Sequence, residues 1–231
     1  MLKLRWLGHA ALVVELSGKT IVLDPWITNP LSPYRSVEGF IKDYKDVDLI
    51  VVTHDHGDHI GETIELLKVY KSAKVAALYE LAEEIARKAG SVDRAIAANI
   101  GGPVNIEDLT LVFTEALHSS TLAHPSGVVI ISGGHSVYHA GDTGVFMDMK
   151  LIGELYSPTV AFLPIGGWFT MGIREAAKAV ELIKPRYVVP IHYNTFDLIK
   201  ASPEEFAKIV AERVPETKVL ILKPGEEVEI S

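Results

Sequence analysis

The chain has 231 residues, 48% of them hydrophobic and 23% charged, with 18 Gly and 12 Pro. That composition excludes a disordered chain and a collagen-like repeat, and it suits one folded domain over residues 1–231. Asp and Glu number 30 against 22 Lys and Arg, a net charge of −8, so the average field opposes phosphate backbones and anionic lipid, and no local basic patch offsets it.

Branched residues predict strands at Leu2 to Leu7, Ala10 to Leu16 and Thr20 to Leu23, with Ser17-Gly18-Lys19 turning between the last two. Asp24-Pro25 ends the third strand. The stretch to about Tyr44, with Pro25, Pro30, Pro33 and Gly39, reads as a long loop whose Trp26, Tyr34 and Phe40 are candidates to line a pocket. Leu49 to Thr53 is a short apolar run suited to a buried strand, and a helix is predicted from about His59 to Tyr70. Val75 to Leu78 and a helix from Tyr79 to Ala89 continue the alternation. Strand character returns at Leu109 to Thr114, Val128 to Ser132 and Val137 to Ala140, followed by a helix from about Phe146 to Tyr156. Thr159 to Leu163 and Tyr187 to Ile191 flank a helix at Ile173 to Ile183. Ser202-Pro203-Glu204-Glu205 carries an N-cap, a first-turn proline and early acids, and Lys218 to Leu222 and Glu227 to Ile230 close the chain as strands. Strands in both halves with interspersed helices predict an α+β protein, a four-layer αββα sandwich of two packed sheets covered by helices.

The N-terminus carries Lys3 and Arg5 inside its short apolar stretch and no small-residue cleavage site. No uninterrupted apolar run approaches the roughly 18 residues of a membrane span. A cytoplasmic protein with no membrane partner is expected. Gln is absent and Asn occurs four times, a depletion of thermolabile side chains that points to a hot environment. Lys42-Asp43-Tyr44-Lys45-Asp46 mixes signs and reads as solvated surface.

No Cys is present. Disulfides, thiolate nucleophiles and sulfur ligands are therefore excluded together, and His, Asp and Glu are left to hold any metal. Thr53-His54-Asp55-His56-Gly57-Asp58-His59 follows a buried strand and precedes a helix. A solvated turn gains little from three imidazoles in six residues, whereas neutral imidazole is the commonest metal-binding side chain. Alternate residues of an extended segment point the same way, so His54 and His56 can grip one ion while Asp58 and His59 turn with the helix toward a second. Further ligands are expected where later strands end: His118 after Leu109 to Thr114, Asp142 in Ala140-Gly141-Asp142-Thr143-Gly144, and His192 after Tyr187 to Ile191. Each alone is also compatible with a hydrogen-bonded strand-end His or a turn Asp.

With these residues in place the sequence resembles the metallo-β-lactamase superfamily, whose pattern is a His-x-His-x-Asp-His run followed by a His, an Asp and a His. The resemblance implies that His54, His56 and His118 hold one metal, Asp58, His59 and His192 the second, and that Asp142 bridges them. Gly8-His9, Leu23-Asp24-Pro25, His139-Ala140-Gly141-Asp142-Thr143-Gly144, Leu163-Pro164-Ile165-Gly166-Gly167 and Pro190-Ile191-His192-Tyr193 are similar to a small metal-dependent hydrolase branch related to ascorbate-phosphate lactonase. The implied activity is hydrolysis of a small ester or lactone, phosphorylated or not, by a dinuclear centre with a bridging hydroxide that Asp58 would also orient. Two metal ions ~3.5 to 4 Å apart acidify water and stabilise a developing oxyanion without a serine or thiol. Zinc is the expected ion; manganese, iron and nickel suit the same ligands. The branch places His9 near the site, to donate a proton or bind substrate, with a structural His as the alternative. Asp24 is expected to accept a hydrogen bond from a ligand imidazole or to serve its turn. His124, His135 and His139 are expected outside the ligand set, His139 as a structural residue. Gly166-Gly167-Trp168-Phe169-Thr170-Met171-Gly172 fails the nucleotide-binding spacing, and Trp168, Phe169, Tyr193 and Phe196 are expected to shape a pocket or core.

The expected partner is a small-molecule substrate, not nucleic acid; an oligomer is compatible with the sequence. The rival readings are a phosphodiesterase or nuclease, and a non-catalytic metal-binding sensor or scaffold. β-Lactam hydrolysis and diiron oxidation occur in the superfamily, but nothing here identifies the lactam ring and no fused flavin domain fits the length.

Overall fold

The computed structural model describes residues 1–230. The chain forms two compact units, one of Met1–Gly102, Ser120–His124 and Lys223 onward, the other of Pro103–Ser119 and Pro125–Leu222. Each is built on its own seven-stranded mixed sheet.

In the first unit β1 (Leu2–Trp6), β2 (Leu12–Leu16), β3 (Lys19–Leu23), β4 (Leu49–Val51), β5 (Lys74–Leu78) and β6 (Ala95–Ala98) lie side by side in chain order. Leu16 pairs with Lys19, and Ser17 and Gly18 between them have φ of 52° and 78°, the two left-handed residues that a tight hairpin turn requires. β1 and β3 both run against β2, and β4, β5 and β6 run parallel to β3. The chain therefore leaves β1, β3 and β4 at one and the same sheet edge, with His9, Asp24 and His54 just beyond. The helices of this unit are α1 (Val37–Asp43), α2 (Gly57–Ile60), α3 (Thr63–Val69) and α4 (Tyr79–Ala89).

The long loop expected up to Tyr44 contains α1, capped by Ser36 Oγ accepting from Gly39 N at 3.3 Å. Val37, Phe40 and Tyr44 recur at helical spacing on one buried face. Tyr34 and Phe40 do not line a pocket: they belong to the core, Tyr34 edge-on to Phe40 at 5.4 Å and Phe40 stacked on Tyr44 at 4.8 Å. Tyr44 is likewise drawn out of the expected solvated run, whose Lys42, Asp43, Lys45 and Asp46 are exposed. The Arg5 guanidinium lies 5.6 Å and 5.8 Å from the Tyr34 and Tyr44 ring centres and donates to Tyr44 Oη at 3.3 Å.

The helix predicted from His59 to Tyr70 is broken at Gly61, φ 44°. A Cβ there would lie 2.3 Å from Pro25 O and 2.5 Å from Trp26 Cα, so only glycine lets the loop after β3 press against this point. The same loop is latched further along: Glu62 N donates to Pro25 O at 2.9 Å, and the Glu62 carboxylate accepts from Ile27 N at 2.7 Å and Thr28 Oγ1 at 2.5 Å.

The second unit orders β7 (Pro103–Ile106), β8 (Leu109–Glu115), β9 (Ser126–Ser132), β10 (His135–His139), β11 (Val160–Pro164), β12 (Tyr187–Ile191) and β13 (Lys218–Val219) across its sheet. β7 to β10 pair antiparallel and β10 to β13 parallel. β8, β10, β11 and β12 thus share one direction and one exit edge. The helices α5 (Met149–Tyr156), α6 (Ile173–Ile183) and α7 (Pro203–Arg213) complete this unit, α7 with the expected cap, Ser202 Oγ accepting from Glu205 N at 3.1 Å. The strand predicted over Lys218 to Leu222 ends at Val219. The closing strand β14 (Glu227–Ile230) returns to the first unit and pairs antiparallel with β1. Among the described residues no helix is long and apolar enough to cross a membrane.

Candidate metal centre

In the first unit β4 is buried along its whole length and delivers His54 fully buried. His56 keeps extended backbone, φ −69° and ψ 146°, so the two imidazoles project to one side as alternation requires. Their centres are 4.6 Å apart and His54 Nε2 stands 3.0 Å from His56 Nδ1. Two nitrogens at 2.0–2.1 Å from a tetrahedral zinc would be about 3.3 Å apart, so the pair is spaced for a shared ion. Gly57 then opens α2, whose first turn carries Asp58 and His59. The His59 ring lies 4.1 Å from that of His54.

A buried hydrogen-bond network sets the tautomers. Asp24, fully buried with φ 43°, accepts from Thr53 N and Thr53 Oγ1, each at 2.8 Å, and from His59 Nδ1 at 2.7 Å. With its one proton on Asp24, the Thr53 hydroxyl receives from His54 Nδ1 at 3.1 Å. Both histidines are thereby held as Nδ1–H tautomers with the Nε2 lone pair presented, the form a divalent ion binds. Asp24, expected as either a turn residue or an imidazole acceptor, is both.

Asp24→Asn is expected to lower metal affinity by about 10- to 100-fold, the range for an outer hydrogen-bond partner. An amide cannot accept from Thr53 and His59 on both its atoms, so one imidazole loses its orientation. A chelator-competition titration measures this, and unchanged affinity would leave Asp24 as a turn residue only.

His9 follows β1 with φ 52° and is fully buried. Its Nε2 lies 2.9 Å from Asp58 Oδ2, its ring meets the edge of Trp26 at 5.2 Å, and its carbonyl accepts from Trp6 Nε1 at 3.0 Å. Of the aromatic residues expected in the first loop, Trp26 alone sits beside a candidate site residue.

Asp55, which sequence reading left without a role, turns away from the imidazoles that flank it. It accepts from the Ser120 hydroxyl and from the backbone of Thr121 at 2.8 Å and Leu122 at 2.9 Å. Burial opposes its ionisation, but these three donors outweigh burial and lower its pKa. An acid placed between two ligand-spaced histidines was the available signal.

In the second unit His118, Asp142 and His192 stand beyond β8, β10 and β12. Asp142 is almost wholly buried, and His118 Nε2 and His192 Nε2 approach one of its oxygens, Oδ2, at 3.6 Å and 3.1 Å. Backbone ties hold this arrangement. Thr143 Oγ1 accepts from Leu117 N at 2.9 Å and Gly144 N donates to Leu117 O at 3.1 Å, fastening the His118 segment to the Asp142 turn. His139 is buried and accepts from Gly141 N at 2.9 Å; it shapes the turn that presents Asp142, the structural placement expected of it. His192 has φ 53°, and a Cβ on Gly166 would lie 2.3 Å from its carbonyl oxygen. Tyr193 is buried, and burial pushes its hydroxyl up to about 12. Trp168, Phe169 and Phe196 are exposed and are not core.

The donor sets fit a divalent metal: in the first unit the oriented imidazoles of His54 and His59 with His56 and the part-buried Asp58, in the second His118 and His192 beside the buried Asp142, with no thiolate. Comparison with known proteins agrees. The profile of the beta-lactamase superfamily domain matches residues 19–193. A metal-dependent hydrolase of Hyperthermus butylicus is 52% identical over 226 residues, covering 96% of each chain, and one of Thermofilum pendens is 54% identical over 236 residues, covering 99% of each. A metallo hydrolase from the hyperthermophilic archaeon Ignicoccus hospitalis superposes with a TM-score of 0.92 at 44% identity, over 100% of this chain and 99% of that one. The α+β class and the metallo-β-lactamase-like fold expected from the sequence therefore hold, and the chain belongs to the beta-lactamase superfamily as one of its metal-dependent hydrolases.

Proposed function

We propose that the two donor sets serve one dinuclear centre in a single catalytic domain, and that the reaction is hydrolysis of a small ester or lactone. In this reading His54, His56 and His118 bind one ion, Asp58, His59 and His192 the other, and Asp142 is shared. The observation that carries it is the pair of oriented imidazoles: Thr53 and Asp24 hold His54 and His59 in the metal-binding tautomer at closely packed positions. A sensor or scaffold would need ligands but not the His9–Asp58 contact at 2.9 Å, which adds a proton-carrying group beside a ligand carboxylate.

Two bound divalent ions, zinc first and manganese, iron or nickel next, supply acidified water and a Lewis acid for a developing oxyanion. The chain supplies the rest. Asp24 and Thr53 keep the imidazoles aimed. His9 Nε2 orients Asp58 and carries the proton that a departing alkoxide needs. The ester or lactone class follows the resemblance to the lactonase-related branch, and the net charge of −8 disfavours a polyanionic polymer.

After metal saturation, elemental analysis should give two ions per chain, and the loaded protein should turn over at least one small ester or lactone faster than single- or double-stranded nucleic acid at matched low ionic strength. A plateau at one ion, undisturbed by His59→Ala and His192→Ala, would remove the dinuclear centre. Nuclease activity lost in His54→Ala, with no ester or lactone turnover, would replace the substrate class.

A further inference from the structure

The exit edge of the second unit's sheet carries more than His118, Asp142 and His192. Leu117, Trp168, Phe169, Phe196 and Leu198 stand in the same loops and are 43% to 73% exposed. Such a concentration of large apolar side chains is unusual on a free surface. These loops are fixed to one another. Met171 N donates to Thr143 O at 2.9 Å, Gly167 N to Met171 O at 2.9 Å, and Leu117 N to Thr143 Oγ1 at 2.9 Å. Gly166 admits the His192 segment so closely that a Cβ would lie 2.9 Å from Ile199 Cβ, and Ile199 N donates to Phe196 O at 3.2 Å.

Trp168 is the most exposed of the five and has φ 59°. A left-handed backbone is costly for a bulky side chain, and neither core packing nor burial offsets it here. The loops themselves carry no cation. Segments 116–120, 140–147, 164–172 and 192–199 contain no Lys or Arg; the cations that flank them, Arg174 and Lys200, are exposed, and Lys200 is paired with Asp197 at 2.7 Å. Within these loops a phosphate group would find no charged donor, whereas an uncharged hydrocarbon would find aromatic faces.

We infer that this edge is a substrate-binding rim for the apolar part of an uncharged ester or lactone, with Trp168, Phe169 and Phe196 as the residues that set acyl-chain preference. The inference rests on the ester or lactone reading above and narrows it by discarding the phosphorylated substrates. The occupant is a small molecule because the apolar residues belong to the loops that present the metal-ligand side chains, which a substrate must approach.

The test is a series of acetate, butanoate and hexanoate esters of one alcohol, with a 6-phosphohexanoate ester alongside, on the metal-loaded full chain. kcat/KM should rise by about fourfold for each added methylene, the factor for removing one CH₂ from water, and the phosphorylated ester should be slower than hexanoate. The double substitution Trp168→Ser with Phe169→Ser should flatten that dependence. Turnover of acetate with no dependence on chain length, or faster turnover of the phosphorylated ester, overturns the rim and leaves the ester reading intact. If no ester is hydrolysed, calorimetric binding of hexanamide against acetamide decides: tighter hexanamide binding lost in the double variant upholds the rim while the ester reading falls, and equal binding overturns the rim as well. Sedimentation of both proteins supplies the last arm. A wild-type dimer that the double variant turns into a monomer, with an unaltered chain-length dependence, would make this face a contact between copies of the chain and overturn the inference.

Discussion

Asp142→Ala is expected to reduce bound metal to less than one ion per chain and turnover by more than about a thousandfold, beyond the 10- to 100-fold typical of losing an outer partner. The carboxylate is almost wholly buried and both His118 and His192 address a single one of its oxygens. Removing it takes away the negative charge that makes a divalent ion tolerable among neutral imidazoles, and leaves His118 and His192 without the carboxylate that both approach. Asp142→Asn keeps the shape and one carbonyl oxygen, so it should fold as the parent does while still binding metal poorly. Elemental analysis, thermal unfolding and turnover of the three proteins check the argument together. Two retained ions in both variants would show that Asp142 is not shared, whatever the rates. Asp58→Ala offers the contrast: it should empty one position and leave the other filled.

His9→Gln is expected to keep both ions and to lower turnover of alkyl esters by about 10²- to 10⁴-fold, the usual contribution of a positioned acid or base. The Gln amide nitrogen reaches about as far as Nε2, the atom that meets Asp58 Oδ2 at 2.9 Å, and can still donate there, so orientation is preserved and proton delivery is not. A phenolate leaves without a proton, an alkoxide does not. The loss should therefore shrink toward unity for nitrophenyl esters, and an equal loss on both ester types would assign His9 to holding Asp58 rather than to proton transfer. A variant with parental rates on every ester would make His9 structural.

The parts of the fold that carry the candidate ligands were the most legible, because β4, β8 and β12 are rich in buried branched residues with a candidate ligand a few residues beyond each, and β10 leads into the Gly141-Asp142 turn. Tyr79–Ala89, Ile173–Ile183 and Tyr187–Ile191 were bounded as found. Edges were not legible. β6 is Ala-Ile-Ala-Ala and β7 begins on a proline; both are edge strands, held by one neighbour rather than by strand propensity. α1 was hidden by the prolines before it, and its aromatic residues suggested a pocket because periodicity over seven residues is a weak signal. The break at Gly61 depends on the approach of Pro25 and Trp26, a contact between segments thirty-five residues apart that no local pattern announces. Asp24 could be nominated from its place at a strand end, but that its partner is His59 rather than another imidazole follows only from the parallel β3–β4 pairing.

The left-handed backbone at His9, Asp24 and His192 gives these positions an unusual evolutionary economy. Each is where a strand must turn sharply to release a functional side chain, and Asp and His are among the few non-glycine types that accept such a conformation. Chemistry and conformation therefore select from the same short menu. A drift to Val or Ile would be rejected by the backbone before its loss of function was felt, whereas a drift to Gly or Asn would be welcomed by the backbone while the reaction failed. A mutational library screened for folding alone should thus tolerate Gly and Asn better than Val or Ile at residues 9, 24 and 192, and the folded, inactive clones it yields would mark the candidate site residues more sharply than random inactivation does.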